Sequence, residues 1–342
     1  MKHPKNIVAA ALLAGLLAGY PAQAYEVFVF SDLDEVVGWL ESEDWYGEVN
    51  RGEHLDVPHA MITGINPRWR EAAQALPVPQ KKEIFYRLML PLIMHANGMV
   101  MDRRERLIEV KGMLDQPGSI GSEDMELIRE GAVLLRVMNE DEAGKLTAES
   151  SEFAGVIDEL LYKLDIIPNG LALGQAAYES GYGTSRFAVE GNALFGQWTY
   201  GGKGLVPEQQ RKELGDHRIA SYDWPFDSVR GYFINLMSHP AYEDFRKLRA
   251  QLRAQGKPLT SMALADGLIR YSERGQEYVD TLKGIIRVNK LDVADDAVFR
   301  DESIQFLVGA EDAESAEALR SEIDELRSTG ALDDIVARMR LE

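Results

Sequence analysis

Apolar residues recur along most of the chain at the spacing of amphipathic helices, and only a few short stretches alternate like strands. From Pro79 onward, Ile84, Phe85, Leu88, Met89, Leu92 and Ile93 form one stripe, extended by Leu107, Ile108 and Val110, with Pro91 predicted to kink it. Arg87 interrupts the apolar run, so the pattern predicts a packed helix and no membrane span. A second helix is expected after Ser122, through Leu127, Ile128, Val133, Leu134 and Val137, with Glu123 and Asp124 in its first turn. A third covers 151–164. Pro168 then sits where a helix can begin, because its missing N–H would be unpaired there anyway. It launches a run of small apolar residues that reads as a buried helix. Helical spacing continues over 227–238, 241–254, 261–269 and 278–286, and the 241–254 segment is basic through Arg246, Lys247, Arg249 and Arg253.

The strand signals are sparse. Residues 25–30 alternate as a short strand, and 194–200 with 217–222 read as a small β lobe around a polar, acidic loop at 207–216. Residues 292–342 are acidic, with Leu319, Ile323, Leu326, Leu332 and Ile335 at short apolar intervals, and read as a helical tail. The fold class this predicts is α+β, mostly α. The expected organisation is a leader at 1–24, a mainly helical region at 25–150, a second domain at 151–291 and the tail at 292–342.

One acid stands apart in this pattern. The buried helix after Pro168 ends on Glu179, followed at once by Ser180, Gly181, Tyr182 and Gly183. A carboxylate in a helix's last turn faces the unfavourable end of the dipole, and Tyr178, Tyr182, Phe187, Phe195 and Trp198 are close in sequence. Both effects disfavour ionisation, which is how a carboxylic acid becomes a proton donor near neutral pH. The plainer reading is a glycine-terminated helix with a solvated glutamate.

The same stretch carries a family resemblance. The run from Ala176 to Ser185, then Asn192-Ala193-Leu194-Phe195-Gly196, resembles the signature of the peptidoglycan glucosaminidases of glycoside hydrolase family 73. The run from Asp227 to Leu236 and His239-Pro240-Ala241-Tyr242 are similar to the Bax-like bacterial branch of that family. The resemblance spans about 160–291. It implies a lysozyme-like domain with a small β lobe, and cleavage of glycan strands at N-acetylglucosamine. Glycoside hydrolysis needs a proton donor to the leaving oxygen and a second group that stabilises the cationic sugar or activates water. The resemblance and the residue chemistry both assign the donor to Glu179.

The second group is less defined. Glu208 lies where the family places a second carboxylate, in a context, Val206-Pro207-Glu208-Gln209-Gln210, that departs from the usual pattern; Glu213 lies in the same loop. A solvated loop glutamate is the plain alternative, and the substrate's own acetamido group is another way to fill the role. Tyr271 and Tyr278 match the family's paired tyrosines, with Arg270 where a glycine is usual; Tyr271 is the candidate for the reaction centre, and core packing is the simpler role for Tyr278. Trp198 and Tyr200 suit stacking on the apolar face of a sugar, Asn192 and Phe195 suit shaping the cleft, and Arg186 suits anchoring a loop. Two further readings use the same residues: a non-catalytic cell-wall-binding or scaffold protein, and a lytic transglycosylase that needs only Glu179.

Composition adds constraints on partners and compartment. The chain has 342 residues, 56 acidic against 37 basic, a net charge of −19 and no cysteine. Such acidity argues against nucleic acid or anionic lipid surfaces as partners and requires glycan recognition to be local. Residues 1–24 combine Lys2 and Lys5, a short apolar core and Ala22-Gln23-Ala24, the pattern of a secretory signal peptide. The expectation is therefore an exported protein of the periplasm or cell envelope, stabilised without disulfides and with no stable membrane insertion after cleavage. Its partner is the peptidoglycan glycan strand; no protein partner is assigned to the N-terminal region. No cofactor and no metal are expected. His54 and His59 lie in a loop without ligand spacing, and Asn139–Gly144, which mimics the start of a calcium loop, has Ser150 where a bidentate acid is needed and reads as a solvated loop.

Overall fold

The computed structural model describes residues 25–47, 54–115, 118–199, 201, 203–207 and 218–329. The expectations for the leader at 1–24, for Tyr200, Glu208 and Glu213, and for Leu332 and Ile335 lie outside the described residues. In chain order the elements are β1 (Tyr25–Phe30), α1 (Leu33–Ser42), β2 (Asp56–Val57), β3 (Ala60–Ile62), α2 (Pro67–Ala75), α3 (Val78–Gly112), α4 (Ser122–Leu134), α5 (Glu140–Lys145), α6 (Phe153–Lys163) and α7 (Asn169–Ser180). There follow α8 (Arg186–Gly191), β4 (Trp198–Thr199), β5 (Gly204–Leu205), β6 (Arg218–Ala220), α9 (Pro225–Ser238), α10 (Glu243–Ala254), α11 (Ser261–Leu264), α12 (Gln276–Val288), β7 (Val298–Phe299), β8 (Ile304–Gly309) and α13 (Ala313–Ser328). The fold is α+β and mostly α. Among the described residues, one compact unit gathers those up to Leu92, Ala176–Val229 and those from Asp296 on; the other gathers Ile93–Gln175 and Arg230–Asp295.

The first unit is built on a three-stranded parallel sheet in the order β1-β8-β3. The reading of 292–342 as a helical tail is corrected here. Ile304–Gly309 is the central strand, paired with β1 from Tyr25↔Ile304 to Phe30↔Gly309 and with β3 from Ala60↔Gln305. A parallel strand covered on both sides reads as a near-continuous apolar run, and Phe306, Leu307 and Val308 are all buried. Each strand feeds a helix whose first turn is capped by a side chain: Asp32 accepts from Glu35 N–H, Asn66 from Arg68 N–H and Asp312 from Ser315 N–H. The β lobe is antiparallel, in the order β4-β6-β5. Its first strand is shorter than expected, Trp198–Thr199.

α3 runs 35 residues with Pro91 inside it. Its length and composition would suffice to cross a membrane, but 61% of its apolar window is buried within the fold, as in a core helix. Arg87 stands over the Trp45 ring at 4.4 Å, while the Trp45 indole donates to the Arg87 carbonyl, so the charge that interrupts the stripe is absorbed locally.

His59, between β2 and β3, is 5% exposed and stacks on Phe299 with centroids 4.3 Å apart. Burial pulls its pKa down from 6.5 to about 4. The unfolded chain therefore binds this proton more readily, so stability is full above about pH 6.5 and falls as pH drops toward 4, by about 3 kcal/mol. Urea unfolding at pH 7 and pH 4 should show a smaller pH loss in His59→Phe than in the parent. An equal loss in both would assign the acid sensitivity to other groups.

The second unit buries cations that the sequence leaves on an ordinary basic helix. Arg246 and Arg249 of α10 are 2% and 1% exposed. Arg249 donates to the carbonyls of Asp165 at 2.7 Å and Lys163 at 2.6 Å, and Arg104 donates to those of Leu161 and Leu164. These carbonyls belong to the last turn of α6 and the residues just beyond it, where acceptors lack intrahelical partners and the dipole favours positive charge. Desolvation pulls the Arg249 pKa down to about 10, still charged at neutral pH. Asn139–Gly144 is likewise not a loop: Asn139 caps α5 and accepts the Glu142 N–H at 2.9 Å.

Candidate active site

Glu179 occupies the last turn of α7, as expected, and is half-buried. The helix ends in a Schellman-type turn: Gly181 is left-handed at φ +59°, and the Tyr182 N–H reaches back to the Ala177 carbonyl at 3.0 Å. Ser180 is buried; its hydroxyl donates to the Ala176 carbonyl at 2.6 Å and accepts the Gly183 N–H at 2.8 Å. Gly183 is also left-handed, at φ +74°, and a Cβ there would meet the Trp69 indole at 3.2 Å. Between these glycines, Tyr182 adopts φ +60°, a conformation that costs a non-glycine residue about 1 kcal/mol or more. Its carbonyl accepts the Trp69 indole N–H at 2.9 Å, and its ring lies edge-on to Phe85 and Tyr86 at 5.7 and 5.9 Å. Lys81 and Lys82 stand over the same ring at 5.7 and 5.5 Å. The turn after Glu179 is thus clamped from α2 and α3. Sequence reasoning missed this clamp, because Phe85 reads there only as part of an apolar stripe.

The next motif residue, Asn192, is a junction. It caps α8 in the left-handed conformation at φ 49°, accepts the Ile65 N–H at 3.0 Å and donates to the Tyr222 and Asp223 carbonyls at 3.1 Å. Such a residue shapes the region without offering its amide to a substrate. Phe195 is 2% exposed and packs in the core. Trp198 is 51% exposed on β4 of the same unit. Arg186 holds the Val206 carbonyl at 2.7 Å, an anchor of the lobe. The Tyr222 hydroxyl donates to Gln197 at 2.8 Å, and burial with the nearby Asp227 pushes its pKa up to about 12.

The paired tyrosines belong to the other unit. Tyr271 and Tyr278 stack with centroids 5.5 Å apart and planes at 11°, and Tyr271 also meets Tyr242 and Tyr232. Tyr278 is 1% exposed, so it presents no face to a ligand; its hydroxyl accepts from the Gln175 amide at 2.9 Å. The Tyr232 hydroxyl donates to the same amide at 2.5 Å, which fixes the Gln175 side chain from both ends. Gln175 lies one helical turn before Glu179 on α7. Among the described residues no group of three His, Asp or Glu side chains could hold a metal ion.

The glucosaminidase family model, described as mannosyl-glycoprotein endo-beta-N-acetylglucosaminidase, matches residues 155–291. Protein bax from Escherichia coli (strain K12) is 30% identical over 210 residues, covering 61% of this chain and 70% of that protein. The chain belongs to the Bax-like glucosaminidase-domain family. Its matched span carries α7, Glu179 and the clamped turn, as well as the β lobe and the tyrosine stack. No solved structure matches. The domain is that of a glycoside hydrolase.

Proposed function

We propose that the protein is a peptidoglycan hydrolase that cleaves glycan strands at N-acetylglucosamine, with Glu179 as general acid. The reading rests on one observation: within the glucosaminidase span, Glu179 ends a helix whose following turn holds a left-handed tyrosine between two left-handed glycines. Strain of this kind persists only where surrounding contacts impose it, and it collects at functional sites. In this reading Glu179 protonates the departing glycosidic oxygen as the sugar takes on positive charge. Glu208 stabilises that charge or activates water; otherwise the 2-acetamido group of the substrate does so. A lysozyme-like arrangement of the catalytic domain and export to the periplasm or envelope through residues 1–24 complete the proposal.

Trp198 serves as a sugar platform. Trp198→Ala should raise KM on a soluble glycan about tenfold with kcat less affected, the equivalent of ~1.4 kcal/mol of stacking. An unchanged KM would remove Trp198 from the glycan path. For the activity itself, purified protein is incubated with peptidoglycan sacculi and release of soluble glycan fragments is followed. Release supports hydrolysis, whereas intact sacculi that retain the protein would favour a wall-binding role.

A further inference from the structure

The turn that follows Glu179 is held by a series of hydrogen bonds that begins outside the glucosaminidase span of 155–291. The indole N–H of Trp69, on α2, donates to the Tyr182 carbonyl at 2.9 Å. The N–H of the same peptide unit, that of Gly183, donates to the Ser180 hydroxyl at 2.8 Å, and that hydroxyl donates in turn to the Ala176 carbonyl at 2.6 Å. The 182–183 peptide is thus pinned at both ends, one end to α2 and the other to the residue directly after Glu179. Hydrogen bonds in series polarise one another, and each orients the next. A second tie fixes the start of α2: the Ile65 N–H, just before that helix, donates to the Asn192 side chain at 3.0 Å. Trp69, Glu179 and Ser180 all belong to the same compact unit.

The local backbone needs such a brace. Gly181, Tyr182 and Gly183 are left-handed in succession, at φ +59°, +60° and +74°. The tyrosine among them has no intrinsic preference for this conformation, so contacts from outside the turn must hold it, and the direction of its carbonyl is what the Trp69 bond fixes. Gly183 admits the indole closely, since a Cβ there would stand 3.2 Å from the indole nitrogen. Helix ends fray, and Glu179 lies in the last turn of α7. A general acid works only when its proton lies within hydrogen-bond reach of the departing oxygen, and a misplacement of about 1 Å can cost about 10²-fold in rate.

We propose that Trp69 is a positioning residue for Glu179: its indole N–H fixes the 182–183 peptide and, through Ser180, the last turn of α7. This rests on the reading of Glu179 as the general acid. It places a determinant of the reaction on α2, outside the matched domain, so residues 155–291 do not carry the complete site by themselves.

Trp69→Phe in the full chain keeps an aromatic ring at the position and removes the donor. On a soluble peptidoglycan fragment, kcat should fall about tenfold or more while KM stays within about twofold of the parent's. The control is Trp39→Phe, which deletes another indole donor of the same unit, the 2.9 Å bond to Gln305, and should leave kcat close to the parent's. Because Trp69 acts through the acid, Trp69→Phe should cost less than about twofold in a Glu179→Gln background. If circular dichroism shows that Trp69→Phe does not fold, the benzothiophene analogue of tryptophan at position 69, which keeps the ring shape and lacks the N–H, makes the same comparison. A parent that does not cleave the fragment would overturn the general-acid reading and this inference with it. A cleaving parent whose kcat is unchanged by Trp69→Phe, falls equally in Trp39→Phe, or falls by the same factor in both backgrounds would overturn this inference alone.

Discussion

Glu179→Gln should lower the rate of glycan cleavage by about 10²–10⁴-fold while leaving glycan binding and unfolding behaviour close to those of the parent. The amide keeps the shape of the acid but cannot deliver the proton that an alkoxide leaving group requires, and a positioned general acid contributes a factor of this size. Glu179 is half-buried in the last turn of α7, and the substitution to glutamine preserves its size there. Single-turnover assays with a soluble peptidoglycan fragment, alongside equilibrium binding of the same fragment, separate the two effects. Loss of binding together with loss of rate would mean that Glu179 holds the substrate and that the donor lies elsewhere.

The second large effect concerns the other end of the same helix. Gly170→Ala should destabilise the protein by about 3 kcal/mol or more. A Cβ at Gly170 would stand 2.2 Å from the Leu291 carbonyl oxygen and 2.8 Å from the Ser261 hydroxyl. Backbone cannot yield as a side chain can. The Gly170 N–H also donates to Asp295, which accepts from the Ser261 N–H and hydroxyl. Alanine is the better helix former by about 1 kcal/mol, so the prediction runs against helix propensity. Gly174→Ala is the control: its Cβ would meet side chains, those of Leu282, Ile286 and Leu291 at 3.1, 3.3 and 3.8 Å, and the loss should be smaller. Urea midpoints measure both. A Gly170→Ala midpoint equal to the parent's would mean the close approach is not maintained in solution.

These two residues also mark what one sequence discloses. Pro168 announces the start of α7, the run of small residues announces its burial, and Gly181 announces its end; each is a local signal with a local cause. The strand at 25–30, the amphipathic helices and the antiparallel lobe are legible in the same way. The partner of β1 is not: β8 lies near the opposite end of the sequence, and no local pattern names a parallel partner, so Ile304–Gly309 passes as part of a helical tail. Arg246 and Arg249 mislead for a related reason. Arginine is ordinarily exposed, and the carbonyls that receive these two are brought together only by tertiary structure. At the site, motif residues carry no mark that separates contact with a ligand from support of the fold. Burial makes that separation: Phe195 and Tyr278 pack in the core and Asn192 ties three segments together, while Trp198 remains exposed.

The central claim is that this chain hydrolyses peptidoglycan at N-acetylglucosamine through Glu179. Its most direct test is mass spectrometry of the muropeptides released from sacculi by the parent and by Glu179→Gln. The account predicts fragments with reducing-end N-acetylglucosamine from the parent and none from the variant. Anhydromuramic ends, or the same fragments from both proteins, would contradict it.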